Sequence, residues 1–178
     1  FFFFFSGLLG AFVLLLVGVL VVHLLLFFFF FFEVKKRQVE EQRRMTLEKA
    51  LAGPLSSGRI TLTNGRIGIS GLVLFAMNSD QLQPEGRELL STLVTPLKSY
   101  LAARDEMLMV SGFTDNKSIR GGNKQFEDNW ELSAQRALTV TRTLIDEGMP
   151  SSMVFAAAFG AEQPIVPNVD DKSRAQNR

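Results

Sequence analysis

The chain has 178 residues, a formal net charge of +1 and no cysteine. The near balance of charge removes any bulk electrostatic argument for nucleic-acid binding, and no nucleic-acid motif or basic stripe with interleaved aromatic residues is present. The lack of cysteine excludes disulfides and thiolate metal sites. With a single histidine in the chain, we expect neither a metal nor a cofactor.

Residues 1–32 form an apolar segment in which Ser6 and His23 are the only residues with polar side chains. A transmembrane helix needs about 20 apolar residues, so this segment is long enough to span a bilayer. A cleavable signal peptide fits less well, because a basic start and a small-residue cleavage site before Glu33 are missing. We predict one spanning helix and interpret His23 as a neutral interfacial histidine rather than a proton carrier.

Phenylalanine runs occupy residues 1–5 and 27–32. Membrane interfaces favour Trp, Tyr, Lys and Arg, so we interpret these runs as artificial or as replacements for other residues. Between them, Gly7, Ala11 and Gly18 place small residues on one helix face, which favours close packing of two copies. Small residues are also common in membrane helices without such packing, so both interpretations stay open.

Residues 33–58 are predicted to form a helical stalk or linker. Opposite charges four residues apart, such as Glu33 and Arg37, support an exposed helix. The alternatives are a solvated stalk, a short two-stranded coil, or a plug helix. Helix breakers over 52–58 predict a domain boundary there. Basic residues over 35–37 would keep this side in the cytoplasm by the positive-inside rule.

Residues 59–178 are predicted to form an α+β domain. Asn64 and Gly65 lie between two short apolar segments, which is a strong hairpin signal. Residues 71–75 are predicted as a third apolar strand. A helix is predicted over 84–104 because proline opens it and leucines recur at helical spacing. Its inner stripe consists of Leu89, Leu90, Leu93, Leu97 and Leu101.

The C-terminal half of this domain alternates strand and helix. Residues 107–110 are predicted as a buried central strand. The following helix begins near Asp128 or Asn129, either of which can cap it, and ends at Gly148. A further strand is predicted over 153–159.

Three polar motifs occupy the C-terminal third of the chain. They are Gly112-Phe113-Thr114-Asp115, Asn129-Trp130-Glu131-Leu132-Ser133-Ala134-Gln135-Arg136-Ala137 and Arg174-Ala175-Gln176-Asn177-Arg178. Together they resemble the peptidoglycan-binding domain of the OmpA family, which the flagellar stator protein MotB shares. The resemblance covers residues 71–178. It implies helices packed on one face of a small mixed sheet, with a further strand beyond Arg178.

The resemblance also implies a binding site. In that family an aspartate after a strand binds the ammonium of the wall's diaminopimelate, and an arginine on the next helix binds its carboxylate. These roles fall on Asp115 and Arg136, with Thr114, Asn129 and Arg178 as further peptidoglycan-binding residues. A zwitterionic group needs one fixed anion and one planar cation that donates two hydrogen bonds. Taken alone, such an aspartate is often a turn residue and such an arginine an exposed ion-pair partner.

The function that the resemblance implies is a wall-anchored B-type subunit of an ion-driven stator, as in MotB and its relatives in anti-phage Zorya systems. The implied partners are peptidoglycan with a diaminopimelate stem, a second copy of the chain, and a ring of larger MotA-like membrane subunits. The implied location is the bacterial inner membrane, single-pass, with the C-terminal domain in the periplasm. We give this implied location more weight than the positive-inside rule, which would place the basic residues after the helix in the cytoplasm.

Two alternatives differ from the stator. Stator B subunits carry an ion-binding aspartate near the start of the membrane helix, and placing that pattern on Ser6 puts the aspartate at Phe3. Since phenylalanine cannot exchange an ion, a structural tether without a motor partner is the alternative. An enzyme acting on peptidoglycan is disfavoured, because the chain has no recognisable carboxylate pair and no cysteine.

Overall fold

The protein, seen here in a computed structural model, divides into two compact units, Phe1–Met45 and Thr46–Arg178. The structure describes residues 2–76, 79–119 and 125–177, and for residues 2–9, 11 and 13 it describes the backbone alone. The small-residue face predicted at Gly7 and Ala11 therefore lies outside the described side chains.

The first unit consists of most of helix α1, Phe2–Ala50, which runs without a break from the apolar segment into the charged one. Within the described residues, α1 is the one helix long and apolar enough to cross a membrane, by length and composition. Its charged part carries exposed ion pairs one turn apart, with Arg37 3.7 Å from Glu33 and Arg44 2.6 Å from Glu41. The predicted N-terminal apolar helix is confirmed.

The second unit begins earlier than the predicted boundary after residue 58. Leu47 and Leu51 fall in the segment predicted as a stalk, yet they are 6% and 0% exposed and belong to the apolar core. A short helix α2, Ala52–Ser56, follows where breakers predicted a linker. Proline is tolerated in the first turn of a helix, so Pro54 does not prevent it. The end of α1 is thus part of the folded domain.

The Asn64-Gly65 hairpin is confirmed. Strands β1, Thr61–Thr63, and β2, Arg66–Gly68, pair antiparallel. Asn64 has φ 52° and Gly65 has φ 74°. A two-residue turn with positive φ at both positions matches the twist of the flanking strands, which is why this residue pair favours it.

The prediction of a strand over 71–75 is wrong, because Gly71–Leu74 forms a single helical turn, α3. The Ser70 hydroxyl oxygen accepts a hydrogen bond from the backbone N–H of Leu72 at 3.3 Å and caps the turn. The next helix packs closely on it, since a Cβ added at Gly86 would lie 2.9 Å from the Leu74 backbone. Apolar residues alone suit a strand or a helix, and here the cap and the packing decide.

Helix α4, Pro84–Ala102, matches the prediction over 84–104, with proline in its first turn. The predicted inner stripe is buried. Its exposed fractions are Leu89 0%, Leu90 1%, Leu93 2%, Leu97 4% and Leu101 5%. This stripe forms much of the apolar core of the second unit.

Strands β3, Leu108–Gly112, and β4, Val154–Ala158, pair in parallel, with Leu108 opposite Val154 and Gly112 opposite Ala158. Helix α5, Asn129–Asp146, packs across both strands. The approach is close at Gly112, where an added Cβ would collide with the backbone carbonyl of Ser133. The α+β class is confirmed. Among the described residues, however, the strands form two separate two-stranded sheets rather than one mixed sheet.

The ends of α5 follow local signals. Asp128 caps it by accepting a hydrogen bond from the Glu131 backbone N–H at 2.8 Å. Gly148, with φ 107°, follows its last turn, as predicted. After β4 the chain forms a loop and a short helix α6, Asp171–Gln176. Asn177 is 3% exposed, and its side-chain oxygen accepts hydrogen bonds from the loop amides of Ile165 and Val166.

Candidate ligand-binding site

Asp115 lies just beyond the C-terminal end of β3. The backbone N–H of Thr114 donates to the carbonyl oxygen of Gly160 at 2.8 Å, which ties this segment to the residues that follow β4. Asp115 is 7% exposed. Its Oδ1 accepts a hydrogen bond from the Lys117 backbone N–H at 2.9 Å, an Asx-type turn that fixes the direction of the carboxylate.

Asn129, the first residue of α5, holds the same segment from the other side. Its Nδ2 donates to the carbonyl oxygens of Asp115 at 3.2 Å and Lys117 at 3.1 Å. An amide nitrogen has two N–H donors, so both are used on this backbone. The structure thus gives Asn129 a positioning contact with Asp115, while its predicted contact with a ligand stays a prediction.

The Thr114 side chain is buried beside Asp115, at 5% exposure. Its hydroxyl has no hydrogen-bond partner among the residues that the structure describes. A buried hydroxyl without a protein partner costs about 1–3 kcal/mol, and it keeps its capacity to bond a water or a ligand atom. The predicted binding role of Thr114 is compatible with this location.

Arg136 lies two turns along α5 from Asn129. Its Nε donates to the carbonyl oxygen of Ser79 at 2.9 Å, and its Nη2 lies 3.5 Å from the carbonyl oxygen of Ala76. The guanidinium carbon is 5.0 Å from the centre of the Phe75 ring, which is cation–π distance. These contacts fix the plane of the guanidinium group. A planar group held this way suits a carboxylate better than a flexible ammonium does.

Two basic residues connect the Asp115 segment to α6 and the loop before it. Lys117 Nζ lies 2.6 Å from Asp171 Oδ1. Arg174 donates from Nε to Asn116 Oδ1 at 3.1 Å and from Nη2 to the carbonyl oxygen of Asn168 at 3.2 Å. The hydrogen bond and charge of Lys117, with a smaller contribution from Arg174, lower the pKa of Asp171. Sequence reasoning missed this connection, since no short-range pattern relates residues so far apart.

Arg178 and Phe3 are also among the predicted site residues. Arg178 and the side chain of Phe3 lie outside the described residues. Across residues 2–76, 79–119 and 125–177, no group of three or more His, Asp or Glu side chains is arranged to hold a metal ion.

The site combines a mostly buried carboxylate after β3 with an oriented guanidinium on α5. Such a pair matches a small ligand that carries both charges, because each group meets its opposite with charge-assisted hydrogen bonds. The fold therefore defines a class: a protein with an apolar N-terminal helix and an α+β domain that carries Asp115 just after β3 and Arg136 on α5.

The chain belongs to the OmpA family, which matches residues 74–178. This confirms the family that the three motifs predicted. Outer membrane protein A of Klebsiella aerogenes is 35% identical over 104 residues, which are 58% of this chain and 28% of that protein. The chain therefore spans less than a third of the length of this relative.

Two solved structures are similar over most of the chain. A protein from Desulfovibrio vulgaris described as MotB-like superposes with a TM-score of 0.66 at 31% identity, covering 80% of this chain and 92% of that one. The cell wall anchor of the T6SS from Pseudomonas aeruginosa superposes with a TM-score of 0.62 at 25% identity, covering 74% and 91%. The likeness thus extends beyond the residues that the family matches.

Proposed function

We propose that this chain anchors a membrane helix to peptidoglycan, as the wall-bound B-type subunit of an ion-driven stator of the flagellar or anti-phage Zorya kind. One observation carries the wall-binding part: Asp115 is held at the end of β3 by Asn129, the first residue of the helix that bears Arg136. The likeness to a MotB-like protein and to a cell wall anchor supports it. The membrane is the inner one, with the second unit in the periplasm.

The proposed ligand is the diaminopimelate of the peptidoglycan stem. The carboxylate of Asp115 binds its ammonium, and the guanidinium of Arg136 binds its carboxylate through two N–H donors. Asp115 is mostly buried, so its attraction to a cation is screened less than it would be in bulk water. Both residues bind charge and neither transfers a proton, so the proposed activity is binding rather than catalysis.

Co-sedimentation of the full chain with purified sacculi tests wall binding. Arg136→Ala removes charge-assisted hydrogen bonds of about 1.5–3 kcal/mol, so affinity falls about 10–150-fold. Arg136→Lys keeps the charge but loses the planar fork, and recovers only part of the affinity. Asp115→Asn weakens binding while it preserves the shape. The matched control is Arg142→Ala, because Arg142 is an exposed arginine on the same helix.

If Arg136→Ala and Asp115→Asn both bind sacculi with the affinity of the wild-type chain, the proposed peptidoglycan binding is refuted. An equal loss in Arg142→Ala would show that binding follows overall charge instead of this site.

The motor part of the proposal adds three features: a second copy of the chain, a surrounding ring of MotA-like subunits, and an ion-binding acid near the start of α1. Position 3 is phenylalanine in this sequence, which cannot carry an ion. A non-motor tether between membrane and wall is therefore the second candidate. The likeness to a cell wall anchor favours it.

Ion flux separates motor from tether. The chain and its Phe3→Asp variant are assembled with a candidate ring partner in liposomes, and proton or sodium uptake is measured. The stator proposal expects uptake only with Phe3→Asp, because the carboxylate restores a group that exchanges charge within the membrane. Assembly with uptake in neither protein would favour the tether. Uptake in both would place the ion carrier at another residue.

A further inference from the structure

Trp130 is half exposed in the first turn of α5, at 49%. Gly160 backs its indole ring: a Cβ added at Gly160 would lie 3.2 Å from Cδ2, 3.3 Å from Cε2 and 3.4 Å from Cγ. Nearly equal distances to three atoms around the middle of the ring system place that Cβ above the ring plane and not beside its edge. Gly160 therefore covers one face of the indole, and the exposed area belongs mainly to the opposite face and rim.

This aromatic face is joined to the charged site through Gly160. The Gly160 backbone N–H donates to the Ser133 hydroxyl at 3.1 Å, and Ser133 is fully buried. The Gly160 carbonyl accepts from the Thr114 backbone N–H at 2.8 Å, and Thr114 precedes Asp115. The indole is thus backed by a fixed backbone one hydrogen bond away from the segment that carries the acid. A flat apolar face held rigidly beside a charged site is suited to a ligand that has both an apolar face and charged groups.

We propose that Trp130 stacks on a pyranose ring of the glycan strand whose stem peptide is held by Asp115 and Arg136. A pyranose presents C–H groups on one face, and these meet the negative face of an aromatic ring favourably. Three extended stem residues reach at most about 11 Å, so sugar and diaminopimelate can occupy neighbouring parts of one surface. This assignment rests on the proposed wall binding and extends it from the peptide to the sugar.

The chain has one tryptophan and one tyrosine, so fluorescence excited at the long-wavelength edge of tryptophan absorption, where Tyr100 does not absorb, reports on Trp130 alone. The full chain in detergent micelles, which add no tryptophan, is titrated with a disaccharide muropeptide, with the matching sugar-free stem peptide, and with free diaminopimelate. Stacking predicts that only the muropeptide shifts the emission and protects the indole from acrylamide quenching. It also predicts that the muropeptide binds about 3–10-fold more tightly than the sugar-free peptide.

Two variants complete the test. In Trp130→Leu the advantage of the muropeptide over the sugar-free peptide falls to about one, because the apolar bulk remains but the aromatic face is gone. Trp130→Phe retains most of the advantage. If Trp130→Leu fails to fold, as judged by its thermal midpoint, the wild-type fluorescence and Trp130→Phe decide the question.

Failure of stacking is distinguishable from failure of wall binding. If the muropeptide binds without changing the fluorescence, and Trp130→Leu keeps the advantage, the stacking assignment is overturned while wall binding stands. If Arg136→Ala and Asp115→Asn both leave the affinity for the muropeptide and the sugar-free peptide unchanged, the proposed function fails, and the sugar assignment fails with it.

Discussion

The substitution Asn129→Asp tests how the Asp115 segment is held. In the protein, Asn129 Nδ2 donates to the carbonyl oxygens of Asp115 and Lys117 at 3.2 and 3.1 Å. Aspartate has nearly the same size, but its ionised carboxylate only accepts hydrogen bonds. The variant therefore replaces two attractive contacts with an oxygen facing two carbonyl oxygens. The volume of the site stays the same, so packing is not the variable.

The expected magnitude follows from these two bonds. A hydrogen bond contributes about 0.5–1.5 kcal/mol net, and both distances lie toward the long end of the usual range. We assign about 1–2 kcal/mol to the pair. This free energy changes, by about 5–30-fold, the equilibrium between the segment with these bonds formed and an open segment in which they are broken. The proposed wall binding should weaken by at most this factor, because it requires Asp115 to be held where the structure shows it.

Hydrogen exchange of the full chain in nanodiscs measures this opening directly. The Lys117 N–H is bonded to Asp115 Oδ1 inside the segment, and the Thr114 N–H is bonded to the carbonyl of Gly160, which ties the segment to the residues after β4. Exchange of both amides is expected to accelerate about 5–30-fold in the variant. Amides of the β1–β2 hairpin serve as the internal control and keep their rates. Unchanged exchange at Thr114 and Lys117 in a folded Asn129→Asp protein would refute the reasoning, whatever happens to wall affinity.

Two further predictions concern packing and pH. Gly112→Ala inserts a Cβ against the Ser133 backbone carbonyl and should lower the free energy of unfolding by about 1–3 kcal/mol in denaturant titrations, whereas Gly53→Ala, with open space around it, should not. The contact with Lys117 lowers the pKa of Asp171 below its usual 3.8. The ionised Asp171 carboxylate therefore stabilises the folded protein fully above pH 3.8, and this stabilisation is lost as the pH falls through the lowered pKa of the folded state. NMR titration of the Asp171 carboxyl should show this low midpoint, and a midpoint at or above 3.8 would contradict it.

Elements with a strong local signal were predicted correctly. Asn64 and Gly65 accept positive φ, so they specify a two-residue turn wherever apolar segments flank them. The leucine stripe of α4 has helical spacing, and the Asp128 cap of α5 acts within one turn. Each of these features depends on residues within a few positions of one another, which is why the chain alone reveals them.

Elements whose conformation depends on distant contacts were predicted less well. Residues 71–75 are apolar and fit a strand, but the Ser70 cap and the close approach of Gly86 favour a helical turn. Leu51 belongs to a segment that looks like a charged stalk, yet it is completely buried in the core. Apolar residues show that burial is favourable, but they do not show which partner provides it.

The sequence by itself determined the family and the apolar N-terminal helix, and it singled out Asp115 and Arg136 as the charged residues of the proposed site. Only the tertiary structure decided how those residues are held: Asn129 on the Asp115 backbone, Arg136 on the carbonyl of Ser79, and the Trp130 ring against Gly160. Contacts such as the one between Arg136 and Ser79 join residues 57 positions apart. Their geometry depends on how α5 packs across β3 and β4, and that packing is a property of the whole domain rather than of any local pattern.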